Sequence, residues 1–265
     1  KSRNDLGINA SFNLAYNNNK ITHVTHKAAS GEEALQSSTL HEGYPIHSLF
    51  SYQFAGMNVD GNTQSFSWRG ADGEIHTSDI TSGEFTVNDI VYSGGLDPKV
   101  TANFMPEITY HGFTLSAMFA YYGGHYMRAK VNDWGTLGKI GGYDNVDGVI
   151  PSAYLNYWNT SDKTQYPANG YLGTTNVTGN PQYMDTNVVP ADYMKLRNIV
   201  LGYNFSQSIC HRLGLNQLRL RFQINNLATW TRNKWNIDPE ANDPISGSDL
   251  KKTPRSYTMS LYVNF

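Results

Sequence analysis

Seven segments of the chain alternate between hydrophobic and polar residues with a period of two. Such alternation is typical of β-strands that turn one face towards apolar surroundings and the other towards polar surroundings. The predicted strands are residues 8–16, 50–54, 102–110, 113–121, 199–205, 218–224 and 257–265. The pattern therefore predicts an all-β fold.

The connections between these strands are of two kinds. A tight turn at His111-Gly112 and a short connection after Phe205 contrast with long polar stretches near residues 59–98, 125–190 and 230–254. Loops of this length are unusual in compact domains and usually carry function. If short and long connections alternate, the three long loops emerge on one side of the sheet. The segment from about residue 17 to 46 is an exception, because the pattern places it on the short-turn side.

Short turns on one side, long loops on the other and about ten alternating residues per strand are typical of a bacterial outer-membrane β-barrel. The polar face carries Glu107 and the lumen-facing candidates Arg219, Arg221, Gln223 and Asn225, whereas the apolar face carries no Lys, Arg, Asp or Glu. Aromatic residues near the strand ends fit the interfacial girdles of such a barrel: Tyr16, Tyr110, Phe113, Tyr121, Tyr203, Phe205, Tyr257 and Phe265. A soluble β-sandwich, whose strands also alternate, is the alternative.

The last predicted strand ends the chain on an aromatic residue. Its apolar positions are Tyr257, Met259, Leu261, Val263 and Phe265, the type of terminal signal that the barrel-assembly machinery reads. A bacterial barrel needs an even number of at least eight strands, so seven strands cannot close one. We therefore expect residues 1–265 to be the C-terminal portion of a larger barrel.

Composition and charge exclude several classes of protein. Aromatic residues make up 13% of the chain and charged residues only 16%, against about 25% charged in typical soluble domains. No run approaches the roughly 18 apolar residues of a spanning helix, and a net charge of −2 gives no electrostatic case for nucleic acid. The single Cys210 excludes an internal disulfide and a cysteine-based zinc site.

The sequence favours neither an enzyme nor a metal or cofactor site. The eight His residues show no H-E-x-x-H spacing. Asp238 and Glu240 flank Pro239 and resemble a glycosidase carboxylate pair, but an acidic turn is the preferred interpretation. The segment Asp144–Gly148 lacks the distal Glu of a calcium loop.

The long loops are rich in aromatic residues. Sugars stack their C–H faces on such rings, so these loops are candidates to line an oligosaccharide pathway. The predicted substrate-contacting residues are Trp68, Tyr126, Trp134, Tyr154, Tyr157, Trp158, Trp230 and Trp235. The alternative for each is packing between loops, packing against a partner, or anchoring at a membrane interface.

Several ordered motifs resemble those of SusC/RagA-type TonB-dependent transporters. The strongest are ADYMKLRNIVLGY at 191–203, LRLRFQINNL at 218–227, WNIDPE at 235–240 and PRSYTMSLYVNF at 254–265. Upstream, FNLAYNNNKI at 12–21, GYP at 43–45 and YSGGLDP at 92–98 also fit, in the family's order. The resemblance covers nearly the whole chain except the loop interiors.

This resemblance implies a 22-stranded barrel with a plugged lumen in the bacterial outer membrane. It further implies a SusD-like surface lipoprotein as cap, a TonB complex acting through an N-terminal region, and a glycan or peptide ligand. On this resemblance the plug and N-terminal domains are absent from this chain, and the lumen-facing Arg219, Arg221 and Gln223 would hold the plug through charge-assisted bonds. Glycan import is the leading hypothesis. A soluble glycan-binding or glycoside-hydrolase domain, a peptide importer and a passive porin stay as alternatives.

Overall fold

The computed structural model describes residues 6–60, 63–129, 176–178, 180–233 and 236–265. Its strands are β1 (Leu6–Tyr16), β2 (Ser48–Asp60), β3 (Thr63–Arg69), β4 (Ile75–His76), β5 (Ile90–Gly95), β6 (Val100–Tyr110), β7 (Phe113–Gly123), β8 (Tyr126–Arg128), β9 (Asn176–Thr178), β10 (Val188–Pro190), β11 (Tyr193–Asn204), β12 (Gln217–Thr231) and β13 (Ser256–Asn264). Two short helices are α1 (Gly31–Leu35) and α2 (Gln207–Arg212), and single 3-10 turns cover Pro181–Tyr183, Asp185–Asn187 and Pro239–Ala241. In these ranges no helix is long and apolar enough to span a membrane.

The largest sheet, here called the wall sheet, contains six antiparallel strands in the order β1-β6-β7-β11-β12-β13. Strands β6 and β7 are joined by a two-residue turn in which His111 and Gly112 both have positive φ, 45° and 86°. This is the type I′ geometry that follows the twist of a hairpin. The predicted tight turn is therefore confirmed.

The predicted strand at residues 50–54 forms, but it does not belong to the wall sheet. It is part of β2, which pairs with β3 and β5 in a second, five-stranded sheet. Alternation reports that a strand has two different faces, and it does not report which sheet the strand joins. The prediction of seven wall strands was therefore wrong by one in the described part of the chain.

This correction removes the exception in the loop pattern. With six wall strands, residues 17–99 form one first connection, between β1 and β6. The second connection (residues 124–192) and the third connection (residues 232–255) leave and return at the same edge, here called the loop edge. The short connections at 111–112 and 205–216 lie at the opposite edge. Long and short connections therefore alternate without exception.

The register of the wall sheet separates an apolar from a polar face. Directly paired residues share a face, and Phe222 pairs with both Leu201 and Met259. One residue further along β12, Gln223 pairs with Val200 and Thr258. The predicted apolar and polar sets of β12 and β13 are thus each placed on one face.

The apolar face is uncovered in the described structure. Phe12 is 62% exposed and Met259 is 75% exposed, although both lie in the middle of long strands. A β-sandwich would bury such a face against a second sheet. The described residues therefore fit a barrel wall better than a β-sandwich.

Aromatic residues gather at both ends of the apolar face. Near the short-turn edge, the rings of Phe113 and Tyr203 lie 4.4 Å apart and those of Tyr203 and Phe205 lie 4.8 Å apart. Near the loop edge, Tyr121 and Trp230 both stand opposite Met194. Two such belts are typical of strands that cross a membrane.

The first and second connections build a compact body above the loop edge. Its core contains the buried side chains of Leu35, Phe50, Tyr52, Phe66, Trp68, Ile80, Phe85 and Met184. A smaller cluster of Met127, Ala129, Val189 and Ala191 packs against Ile237 of the third connection. The described parts of the long connections are therefore packed against one another.

Candidate functional site

Glu240 ties the third connection to the polar face of the wall sheet. The Tyr193 hydroxyl donates to Glu240 Oε1 at 2.9 Å, and Lys195 Nζ donates to Glu240 Oε2. Arg197 donates from both terminal nitrogens, with Nη1 2.9 Å from Glu240 Oε2. Three side chains of β11 thus converge on one carboxylate, the bidentate arginine bond being the most directional of them.

These hydrogen bonds decide the charge of Glu240. Burial by itself raises the pKa of its carboxyl, but the hydrogen bonds from Arg197, Lys195 and Tyr193 outweigh burial, so the pKa lies below the usual value of 4.5. A carboxylate held in this way is neither a proton donor near neutral pH nor a free nucleophile. The interpretation of 238–240 as an acidic turn therefore fits the structure better than a glycosidase pair.

A β-bulge at Arg197 places Lys195 on the polar face of the wall sheet, where it reaches Glu240. The pairing of β11 with β7 and β12 shifts between Leu196 and Asn198. On the side of the shift towards the short turns, Ile199 pairs with Ala117 on the apolar face. On the side towards the long connections, Lys195 pairs with Ala120 on the polar face. Because a one-residue slip exchanges the faces of a strand, the bulge keeps Lys195 away from the apolar face.

Asp192 joins the second and third connections next to this cluster. Its Oδ1 accepts the backbone N–H of Gly124 at 2.7 Å, and its Oδ2 accepts Arg232 Nη1 at 2.9 Å. His125 Nδ1 lies 3.9 Å from Asp192 Oδ1. Burial lowers the pKa of His125, with Asp192 opposing the shift, so the imidazole is neutral at pH 7. Asp192 therefore holds the start of both connections.

Arg128 links the first and second connections from inside. It is 2% exposed, and its Nη2 donates to the Phe50 carbonyl at 2.6 Å. Its Nη1 donates to the Gln182 carbonyl at 2.8 Å and to Ser51 Oγ at 3.3 Å. No pattern in the sequence pointed to this residue, because a single Arg before a long loop carries no periodic signal.

Three of the four lumen-facing candidates form a chain of hydrogen bonds on the polar face, and the fourth, Arg219, bonds to the neighbouring strand. Arg221 Nη2 donates to Gln223 Oε1 at 2.9 Å, and Gln223 Nε2 donates to Asn225 Oδ1 at 2.6 Å. Asn225 Nδ2 continues to Ser256 Oγ at 2.9 Å, and Arg219 Nε donates to Asn204 Oδ1. The four residues therefore lie together, as the alternation predicts, and line one strip of the polar face.

The structure distributes the predicted substrate-contacting residues over three environments. Trp68 is 1% exposed, donates from Nε1 to the Ser78 carbonyl at 2.9 Å and stacks on His76, so it packs the loop core and presents no face to a ligand. Trp230 is 47% exposed on the apolar face of β12, where a membrane-interface anchor fits better than a sugar platform.

Tyr126 is partly exposed at the base of the second connection. Its ring lies against Gly94, where φ is +141° and a Cβ would stand 2.4 Å from the ring, so only glycine fits there. The remaining candidates lie outside the described residues: Trp134, Tyr154, Tyr157, Trp158 and Trp235.

An aromatic groove in the first connection was missed by the sequence analysis. The groove has a volume of about 400 Å³ and includes Tyr44, Phe50 and Tyr92. The rings of Tyr44 and Tyr92 lie 4.8 Å apart, and both are partly exposed. Lys27 and Glu42 lie at its border. Tyr44 and Tyr92 belong to separate segments of the chain that share no pattern, so the sequence gives no sign that their rings meet.

The assembly-signal candidates share the apolar face of β13. Tyr257, Met259, Leu261 and Val263 pair with Ile224, Phe222, Leu220 and Leu218, and Phe265 follows the strand with 84% exposure. Among the described residues no group of three His, Cys, Asp or Glu side chains is arranged to hold a metal.

Comparison with known proteins gives relatives of one kind. No family model matches the chain. The chain is 25% identical over 289 residues to TonB-dependent receptor P3 of Formosa agariphila, covering 98% of this chain and 27% of that protein. It is 24% identical over 264 residues to TonB-dependent receptor P39 of the same organism, covering 83% and 24%. The chain thus spans about a quarter of the length of these relatives.

Solved structures of similar fold include the RagAB peptide transporter, with a TM-score of 0.68, 22% identity and coverage of 100% of this chain and 28% of that chain. The RagAB peptide importer in its 'open-open' state matches with a TM-score of 0.65, 20% identity and coverage of 98% and 27%. This likeness identifies the wall sheet as a segment of an antiparallel β-barrel.

Proposed function

The chain is a homologue of the TonB-dependent receptors of the bacterial outer membrane, and on this premise we propose that it forms barrel wall and outer loops of a transporter that imports oligosaccharides. One observation carries the proposal. A sheet with one apolar and one polar face bears all three long connections at the same edge. This is the arrangement of a wall that contacts lipid outside, water inside and ligand above.

In this proposal each part of the chain has a separate task. The apolar face, with Phe222 and Met259, contacts lipid. The polar strip from Arg219 to Asn225 faces the lumen and offers charge-assisted hydrogen bonds to ligand or plug. The hydrogen bonds at Glu240 and at Asp192 keep the long connections above the lumen. Energy coupling belongs to a plug and a TonB-contacting region elsewhere in the protein.

The aromatic groove supports a sugar as ligand. Tyr44 and Tyr92 present partly exposed rings, and Lys27 and Glu42 border them with groups that form hydrogen bonds. Apolar sugar faces stack on such rings while the hydroxyl groups bind at the border. A SusD-like surface lipoprotein as the cap over these loops completes the proposal.

Peptide import is the second candidate. The observation that favours it is the fold likeness to the RagAB peptide transporter. The same groove would take an aromatic or aliphatic side chain in place of a sugar ring.

Uptake measurements separate these candidates. A strain that carries the full-length protein would be given labelled oligosaccharides and labelled peptides, with and without a protonophore. Energy-dependent uptake of oligosaccharides supports the proposal, and uptake of peptides alone selects the second candidate. Uptake that persists with the protonophore indicates a passive porin and contradicts both.

Two sets of variants then test the loops. Replacement of Tyr44 and Tyr92 by Ala is expected to reduce uptake, and replacement of both by Phe, which keeps the rings, is expected to preserve it. Deletion of residues 130–175, which contain four of the predicted substrate-contacting aromatics, is also expected to reduce uptake. Normal uptake by a correctly assembled deletion variant would exclude those aromatics from ligand binding.

A further inference from the structure

A cavity of about 230 Å³ lies where the three long connections meet. Buried Leu35 and Leu49 and the buried Arg128 form its floor. Exposed Gln36, Ser37 and Ser38 form its mouth, and Ile245 contributes from the third connection. The cavity is thus a polar opening that leads down to a buried positive charge.

The charge of Arg128 is unusual because each of its described acceptors is neutral. These acceptors are the carbonyls of Phe50 and Gln182 and the Ser51 hydroxyl, and the guanidinium lies 5.1 Å from the ring centre of Tyr183. Burial lowers the pKa of Arg128 to about 10, so the side chain is still charged at neutral pH. A buried cation is stable only when its donors are occupied, and an anion occupies them best.

Counting donors shows which part of the guanidinium is available. Arginine has five N–H groups, and three of them make the described bonds, two from Nη1 and one from Nη2. The Nε–H and one N–H of Nη2 are left without a partner among the described residues. Nε and Nη2 lie on one edge of the planar group and together match the two oxygens of a carboxylate.

We propose that this cavity binds a carboxylate group, held at the floor by the Nε–Nη2 edge of Arg128, whose remaining N–H groups have no described partner, and at the mouth by the hydroxyl groups of Ser37 and Ser38. The volume supports a single end group, because sites for whole drug-sized ligands measure about 300–1,000 Å³. The carboxylate comes from a uronic acid of a glycan or from the C-terminus of a peptide. Only this assignment of its source rests on the proposed function.

Direct binding to the full-length protein in detergent tests the proposal. The probes are sodium D-glucuronate and N-acetyl-diglycine, compared by calorimetry with glucuronamide and N-acetyl-diglycinamide, which have the same shape and no charge. The carboxylates are expected to bind at least about tenfold more tightly than the amides, a difference of about 1.4 kcal/mol, because only a carboxylate forms a charge-assisted pair with the guanidinium. Equal or absent binding of both members of each pair would overturn the proposal.

A variant at the mouth tests the cavity while leaving the structural hydrogen bonds of Arg128 in place. Gln36→Glu adds a negative charge at the mouth with almost no change of shape and is expected to weaken carboxylate binding several-fold. Gln207→Glu, the same substitution at the exposed start of α2, is the matched control and should bind normally. Arg128→Lys keeps a positive charge but loses the planar edge, so it should lose about tenfold in affinity. If Gln36→Glu and Gln207→Glu bind the carboxylate probes alike, the cavity is not the site.

The two proposals fail in different ways. Uptake of neutral oligosaccharides together with no carboxylate binding would overturn the cavity and leave the transport proposal intact. Carboxylate binding without uptake of any oligosaccharide or peptide would overturn the transport proposal and leave the cavity proposal intact. Among the binding probes, preference for glucuronate indicates a glycan as the source, and preference for the free peptide carboxylate indicates a peptide.

Discussion

Lys195 of wall strand β11 donates a hydrogen bond to Glu240 of the third connection, 45 positions later in the chain. The side chain of Lys195 is 4% exposed and that of Glu240 is 23% exposed, so this pair is largely shielded from solvent. A buried lysine needs a partner, since an uncompensated buried charge is strongly destabilising. The third connection is therefore held on the wall by charge as well as by packing.

Glu240→Gln is expected to loosen the third connection by roughly 3 kcal/mol, because Lys195 and Arg197 lose their anionic acceptor. Hydrogen exchange of residues 236–255 in the full-length protein measures this as a lower free energy of local opening. Glu32→Gln, at an exposed position of α1, is the control and should change the opening by less than about 0.5 kcal/mol. Equal exchange in both variants would show that Glu240 does not hold the third connection on the wall sheet.

The protection of backbone amides in the third connection from hydrogen exchange should depend on pH in a defined window. The pKa of Glu240 is lowered in the folded state, and backbone hydrogen bonds from Ile245 and Ser246 lower the pKa of Asp243 as well. A lowered pKa contributes stability that is fully present above the unfolded value, near 4.5 for Glu, and is lost as pH falls through the folded value. After exchange rates are corrected for their intrinsic pH dependence, the equilibrium constant for local opening should therefore be constant at neutral pH and rise below about pH 4.5. Glu240→Gln should flatten this rise without abolishing it, and an unchanged profile would refute the assignment to Glu240.

The two faces of β13 should differ in their tolerance of charge. Met259 pairs with Phe222 on the apolar face, and its neighbour Thr258 pairs with Gln223 on the polar face. Met259→Lys is expected to destabilise the barrel by roughly 2–4 kcal/mol, the range for a lysine facing the middle of the bilayer. Thr258→Lys is the matched control and should assemble normally. Heat-modifiable migration of outer-membrane fractions on gels measures the folded fraction, and the opposite ranking would reverse the assignment of the faces.

Phe265 is expected to act in assembly more than in stability. It is 84% exposed and follows the last strand, so Phe265→Ala removes few contacts of the folded chain. We expect a several-fold lower amount of the protein in the outer membrane, with unchanged unfolding of the assembled fraction. Asn264→Ala, one position earlier and on the polar face, is the control. Equal amounts of the two variants in the outer membrane would show that the assembly machinery does not recognise the Phe265 ring.

The local features of the wall could be predicted from the sequence. The alternation of β12 and β13 identifies their faces, and the polar strip from Arg219 to Asn225 follows from it because the side-chain period of a strand is two. The His111-Gly112 turn also follows from local chemistry. Leu196 and Ile199 lie on the same apolar face although they are three positions apart, and this odd spacing is the sign of the bulge in the sequence. The predicted strand starts at Ile199 and so does not include it.

Other features depend on contacts between distant segments. Phe50–Phe54 alternates as the wall strands do, yet β2 pairs with β3 and β5, since pairing partners are chosen by packing over the whole fold. Trp68 looks like the other loop aromatics in sequence and is buried by Phe85 and His76. Arg128 and Glu240 become informative only when the connections that carry them meet.

The sequence by itself determined the two-faced strands, their turns and the kind of surroundings that each face requires, because these properties arise within a few consecutive residues. The tertiary structure alone decided which strands form the wall, that residues 17–99 form a single connection, and which buried charges the long connections bring together. Those outcomes depend on burial and pairing between residues up to 131 positions apart, such as Phe54 and Asp185, and a local pattern carries no record of a partner at that distance.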